Sequence, residues 1–260
     1  MEELASGYGL VEGPSADDQG RVWFSDVIGG GIFRWSDEHG VEQILEKRRG
    51  IGGLALHAEG GVVATGRDLI HVSEDGSSRH LLSLDGVTGF NDVGVDPQGR
   101  VLVGALRWRP LGGEDPTPGD VWVVKGPDEA TVLIEGVVWA NGIGISPDGS
   151  TVYVSDYQTG EVLAHSDAET RVFARSPQGS ADGLAVDEAG GVWVALGEGG
   201  GVARFQPDGK PDRVLDVPAD FVASVCFGAL DRNELYVATA GGLFRTKVDV
   251  AGLPVTLATV

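Results

Sequence analysis

The sequence predicts an all-β chain: a six-bladed β-propeller with four-stranded antiparallel blades, in one domain over residues 1–260. Three observations carry that expectation. A turn-then-strand phrase returns six times, apolar and small residues alternate inside each return, and no helical period of useful length occurs.

The phrases are "DDQGRVWFSD" from 17, "HAEGGVVATG" from 57, "DPQGRVLVGA" from 96, "SPDGSTVYVSD" from 146, "DEAGGVWVALG" from 187 and "LDRNELYVATA" from 230. Their reference glycines are Gly20, Gly60, Gly99, Gly149 and Gly190, with Asn233 in the sixth place. The steps are 40, 39, 50, 41 and 43 residues, a repeat with one insertion. Unit one shows its strands as "YGLVEGPSA", "RVWFSD", "GIFRWS" and "VEQILEK", four strands in the length of one propeller blade. A solenoid would need capping repeats, and a sandwich would not divide into equal units. The segment "LPVTLATV", 253–260, lies beyond the sixth unit. It is expected to close the ring by completing a blade with N-terminal strands, which removes an open edge.

Composition bounds the partners. The chain has 39 Asp and Glu against 19 Lys and Arg, a formal charge of −20, and no basic stripe, which argues against a nucleic-acid partner. No apolar run is long enough for a membrane span, and the first residues, MEELASGYGLVEG, lack the pattern of a secretory signal. Cys226 is the single cysteine, so no intrachain disulfide can form and a reducing cytoplasm is the expected location. The pattern sets no oligomeric state.

Eight residues before each reference turn stand Glu12, Gly52, Asn91, Asn141 and Asp182, with Ser224 in unit six after a one-residue gap. If the innermost strands line the axis, these positions converge at one end of the channel. Any one such residue more commonly satisfies nearby backbone groups. As a set, two facing carboxylates would repel, whereas a divalent cation would neutralise both and take the amide oxygens too. An all-oxygen set favours Ca²⁺, Mg²⁺ or Mn²⁺, with Ca²⁺ placed first and Zn²⁺ left open.

The blocks "VEGPSADDQGRVWFSDV", "FNDVGVDPQGR", "ANGIGISPDG" and "ADGLAVDEAGGVWVA" resemble those of the senescence marker protein (regucalcin), gluconolactonase and luciferin-regenerating enzyme family, along nearly the whole chain. The resemblance implies a six-bladed propeller that hydrolyses lactones. It also implies an axial divalent metal held by Glu12, Asn141 and Asp182, with Asn91 lining the pocket. On that reading the cation acts as a Lewis acid, Asp182 serves as ligand and general base, and Asn91 and Asn141 orient the ester. The sequence departs from the family at Gly89, where many sugar-lactone members carry Arg in "R-x-N-D", and at "EGPSAD", where "EGPxW" is usual. Gly89 points to a substrate less polar than a sugar lactone.

The insertion falls in "LRWRPLGGEDPTPGD", 106–120, which reads either as a lid or as a solvated rim loop. As a lid it would bring Arg107, Trp108 and Arg109 to the substrate and replace the cation missing at Gly89. Trp23, Trp193 and Tyr236 recur at one strand position and are assigned to packing between blades. Arg34, His71, Arg204 and Arg245 recur one strand later and are expected on the outer surface. "GEGGGVARF" at 197 reads as a hairpin turn, and Cys226 as an inert buried thiol. No G-x-S-x-G, H-E-x-x-H or phosphate loop occurs. Two alternatives to lactone hydrolysis remain: another metal-assisted reaction (hydration, dehydration or isomerisation), or a non-enzymatic propeller that binds metal or a partner.

Overall fold

The computed structural model describes residues 1–260 apart from the side chain of Leu111. Its strands form six separate four-stranded antiparallel sheets. From the axis outward, blade one is Val11–Ala16, Val22–Asp26, Ile32–Ser36 and Gly40–Leu45. Blades two to five repeat the order, with inner strands Leu54–Leu56, Gly89–Val95, Ala140–Ile145 and Leu184–Val186. Blade six runs Val222–Gly228, Glu234–Thr239, Gly242–Lys247 and then Glu2–Ser6, so the first strand of the chain is its outer strand. The inner strands neighbour one another in sequence order, and the last neighbours the first, closing a ring. Among the described residues the only helical turn is the 3-10 turn Pro110–Gly112, and no helix is long and apolar enough to cross a membrane.

The repeat is legible because each unit turns on a residue with positive φ. Gly20, Gly60, Gly99, Gly149 and Gly190 have φ between 74° and 87°. In unit six Arg232, not Asn233, takes that conformation at φ 53°. The turn therefore comes one residue earlier than the alignment places it. The hairpin expected at 197 joins Val192–Ala195 to Gly201–Phe205.

Closure differs from the sequence expectation in one respect. Residues 253–260 add no strand to any blade; Glu2–Ser6 takes the outer edge of blade six by pairing with Gly242–Lys247. Pro254 has no N–H to give a ladder, and the edge it would have joined is already filled. The segment instead crosses the far end of the channel. Leu253 N donates to Val186 O in blade five at 3.4 Å, Ala258 N to Leu56 O in blade two at 2.8 Å, and Thr259 N to Gly99 O in blade three at 2.9 Å.

The core lies between blades. Trp193 of blade five packs with Val225 and Leu235 of blade six, and Tyr236 of blade six with Val11 and Trp35 of blade one. Trp23, Trp193 and Tyr236 are buried, as assigned. Burying an apolar side chain of Leu or Phe size contributes about 1.5–3 kcal/mol, so each interface holds firmly without a central hydrophobic mass. Arg34, Arg204 and Arg245 are not outer-surface groups. Their guanidinium carbons lie 5.1, 5.8 and 5.2 Å from the ring centroids of Trp23, Trp193 and Trp35, with carboxylates on their far sides. His71 is buried as well, its ring centroid 4.1 Å from that of His57 and tilted to it. The guanidinium heads lie over indole faces while also meeting carboxylates, which strand alternation alone does not reveal.

Candidate active site

The inner strands do not begin as regular ladders. In blade one, Glu12 pairs with Ser25 but Ser15 pairs with Trp23, so three steps on the inner strand oppose two on its neighbour. The same bulge separates Phe90 from Val93 and Ala140 from Ile143. A bulge re-aims the side chains it frees. Asn91 and Asn141 fall inside their bulges and Glu12 stands at the edge of its own, and all three line one cavity at the axis together with Gly52, Gly89 and Asp182. Ser224, the sixth member of the column, is buried but does not line it.

Hydroxyls on the second strands hold these positions across blade boundaries. Ser25 Oγ donates to Ile51 O at 2.7 Å, Thr65 Oγ1 to Asn91 O at 2.6 Å, and Ser155 Oγ to Asp182 O. Asp26 and Asp156 fix the loops leading into the inner strands. Asp26 accepts N–H groups of Gly9, Leu10, Ile28 and Gly29, and Asp156 those of Val138, Trp139 and Gln158. Close approach of inner strands requires glycine after the column residue. Gly13 has φ 56°, and a Cβ there would lie 2.7 Å from Leu54 N; a Cβ on Gly142 would strike the backbone of Gly183 and Leu184.

Unit three breaks that rule. Asp92 follows Asn91 where Gly13, Gly142 and Gly183 stand in other units, and its buried carboxylate faces Gly53, which has no side chain to obstruct it. Sequence reasoning missed Asp92, although the exception to a Gly-after-ligand pattern marks it.

Three carboxylates are thus enclosed together. Burial pushes Glu12 well above the ordinary carboxylate range, and the charges of Asp182 and Asp92 add to the rise, against one N–H from Gly13. Asp182 is likewise raised, by burial first and then by Asp92 and Glu198, although Gly183 N–H and the Asn141 side chain favour its anion. Asp92 is pushed up to about 7, chiefly by burial. Asp182 Oδ1 is buried with no hydrogen-bond partner. Asn91 donates from Nδ2 to Ala140 O at 3.1 Å, which orients its carboxamide. Buried anions with an orphaned oxygen and two amide oxygens nearby fit a hard divalent cation, which supplies the missing positive charge and partner at once.

The cavity is about 650 Å³. Trp108, Arg109 and Pro110 of the inserted loop form one side, so the loop lies over the site. Arg107 does not line it: its guanidinium turns to Asp120, with Nη2 at 2.6 Å from Oδ2. Arg109 lines the cavity, but its guanidinium is held by Glu114 at 2.6 Å. Trp139 and Tyr157 complete an aromatic side that sequence reasoning missed, because their loops meet only in space. Trp108 contacts Trp139 edge-on at 5.4 Å, and Trp139 lies 4.5 Å from Tyr157. The Tyr157 hydroxyl donates to Glu198 at 3.1 Å, and burial pushes its pKa up to about 12. Cys226 is away from this site, with its thiol raised to about 12 by burial.

A second group, His57, Glu59 and His71, has potential ligand atoms within 4.8 Å of one another. Its nitrogens are largely committed. Glu59 N donates to His57 Nδ1 at 3.1 Å, so Nε2 carries the proton and donates to Val260 O at 3.1 Å; His71 Nε2 meets Gly60 O at 2.8 Å. Burial also lowers the His57 pKa, keeping the ring neutral. This cluster fastens residues 253–260.

A family model for the SMP-30/Gluconolactonase/LRE-like region matches residues 10–241. A pentonolactonase of Haloferax volcanii is 32% identical over 245 residues, spanning 90% of this chain and 82% of that protein. A 6-deoxy-6-sulfogluconolactonase of Pseudomonas putida is 28% identical over 280 residues, spanning 94% and 95%. The crystal structure of a calcium-binding protein, regucalcin, of Agrobacterium tumefaciens shares the fold with a TM-score of 0.88 at 21% identity, over 100% of this chain and 97% of that one.

Proposed function

The chain belongs to the SMP-30/gluconolactonase/LRE-like family, and from that premise we propose that it is a lactone hydrolase whose site holds one divalent cation on Glu12, Asn141 and Asp182. The observation that carries the reading is the orphaned, buried Oδ1 of Asp182 among two further buried carboxylates at the base of an open cavity. When bound, the cation supplies Lewis-acid polarisation of the ester carbonyl and the positive charge that lets the carboxylates ionise. Ca²⁺ suits a hard oxygen set without sulfur or imidazole. The lactonases among its relatives point to a small cyclic ester as substrate. The cytoplasm remains the proposed location, on the single cysteine alone.

Asp182 takes a proton from the water that attacks the carbonyl carbon. As the ring C–O bond breaks, it returns that proton to the leaving oxygen, so ester and water become one hydroxy acid. Asn91, fixed by Ala140 O, offers its side-chain oxygen to the other water proton. Asn141, beside Asp182, favours its carboxylate anion. The apolar sides exclude bulk water and strengthen these interactions.

The test is acid release from a panel of lactones by protein stripped with chelator and then reloaded with Ca²⁺, Mg²⁺, Mn²⁺ or Zn²⁺. Activity should vanish on stripping and return on loading. Asp182→Asn should lower kcat/KM by about 10²–10⁴-fold while keeping the melting temperature. Full turnover by stripped protein or by Asp182→Asn would end the proposal.

A further inference from the structure

Resting on the lactone-opening reading, we infer that this site selects lactones bearing an aromatic or long alkyl substituent over polyhydroxylated ones. Most polar groups above the floor of the cavity are spent on protein partners; Trp139 Nε1 is the exception, buried without a partner and so turned away from the open space. Thr88 Oγ1 donates to Trp108 O at 2.7 Å, with Leu106 O at 3.1 Å, Trp108 Nε1 to Val138 O at 3.1 Å, and Tyr157 to Glu198 at 3.1 Å. Arg109 is closed on Glu114 through both its guanidinium and its backbone N–H. Above the floor, and among the described residues, Arg67 alone lines the cavity with an uncommitted charge, and it stands exposed at the rim.

What remains between floor and rim is apolar: Ile28, Phe90, Leu106, Trp108, Trp139 and Phe221. Gly89 adds no side chain. A Cβ there would lie 3.2 Å from Gly66 O, because Gly66 and Phe90 exchange backbone hydrogen bonds across the blade boundary. The position therefore contributes no donor to the cavity.

A sugar-derived lactone would press its hydroxyls onto these surfaces and lose their water without replacement. Each stranded hydroxyl weakens binding roughly tenfold. A phenyl or hexyl group of the same reach instead removes apolar area from water on both sides. The carbonyl and ring oxygen stay at the floor, beside Asp182, in either case. The chemistry is common to both substrates, and selection resides in the sides of the cavity.

The experiment compares kcat/KM, with saturating metal, for three five-membered lactones: unsubstituted γ-butyrolactone, a γ-phenyl or γ-hexyl derivative, and a pentono-1,4-lactone. The substituted apolar lactone should exceed the pentonolactone by about tenfold or more. Ile28 is 56% exposed, so Ile28→Asn should fold normally; it should cut the ratio of substituted to unsubstituted lactone about threefold to tenfold. Trp108→Ala should cut it further and Trp108→Phe should restore most of it, with melting temperatures recorded for each. A preference for pentonolactone, or a ratio unmoved in Ile28→Asn, overturns this inference while leaving lactone hydrolysis standing. Failure to open any of the three, with metal bound, overturns both.

Discussion

The same six inner strands make both ends of the channel, yet the ends have opposite chemistry. At the strand starts, bulges and glycines release Glu12, Asn91, Asn141 and Asp182 into an open cavity of about 650 Å³. At the strand ends, residues such as Leu56, Val95, Ile145 and Val186 surround a space of about 230 Å³ that Leu253–Thr256 cover. The difference is one of pairing. Where the ladder is regular, alternation fills the axis with aliphatic side chains. Where it is interrupted, buried polar groups gather and must find partners of their own.

The largest way to break the comparison is pH acting on the metal-stripped protein. Glu12, Asp92 and Asp182 all have folded-state pKa values raised above the unfolded carboxylate range. The folded state therefore binds protons more tightly than the unfolded one. Stability contributed by these protons is full below about pH 4 and is lost as pH rises, for Asp92 through about 7. Each fully coupled group removes up to about 1.4 kcal/mol per pH unit in that window. Stripped protein should melt lower at pH 7.5 than at pH 5, and the melting-temperature gain from added metal should grow over the same interval. A gain independent of pH would separate the cation from the carboxylates.

The covered end should fail by loss of packing instead. A chain ending at Ala251 loses the burial of Ala258 and Val260 and the bonds of 253–260 to blades two, three and five. Calorimetry should show a loss of about 2–4 kcal/mol, with kcat little changed and dye binding to the newly exposed apolar mouth. A large fall in kcat with an unaltered melting temperature would contradict the division between ends. The smallest effect belongs to Arg79→Ala. That side chain reaches Val260 O at 3.1 Å and Glu59 at 3.3 Å from a half-exposed position, and its loss should cost at most about 1 kcal/mol by chemical denaturation.

The parts of this arrangement that follow local rules were legible in the sequence. Positive-φ turns announced six units, and the oxygen-bearing residues of units one, three, four and five announced the column that meets at the axis. Asp92 was harder, because its burial arises from a glycine missing in its own strand and one present at Gly53 in the next blade. Trp139 and Tyr157 sit in loops whose convergence depends on Asp156 and on blade order, not on any period. Arg107 was misjudged because sequence distance to the cavity says nothing of Asp120, thirteen residues on at the start of the neighbouring strand. The last residues looked like a strand by composition, but the edge they suited was already occupied by residues 2–6.

That occupied edge has a temporal consequence. The partner of Glu2–Ser6 is Gly242–Lys247, made long after it. Glu12 and Asp182 are likewise separated by most of the chain. The ring cannot lock before Gly242–Lys247 has been made, and until then the first blade waits with a free flank. Contacts so distant along the polypeptide make slow folding the expected regime, with chaperone dependence greatest for nascent chains that stall before residue 242.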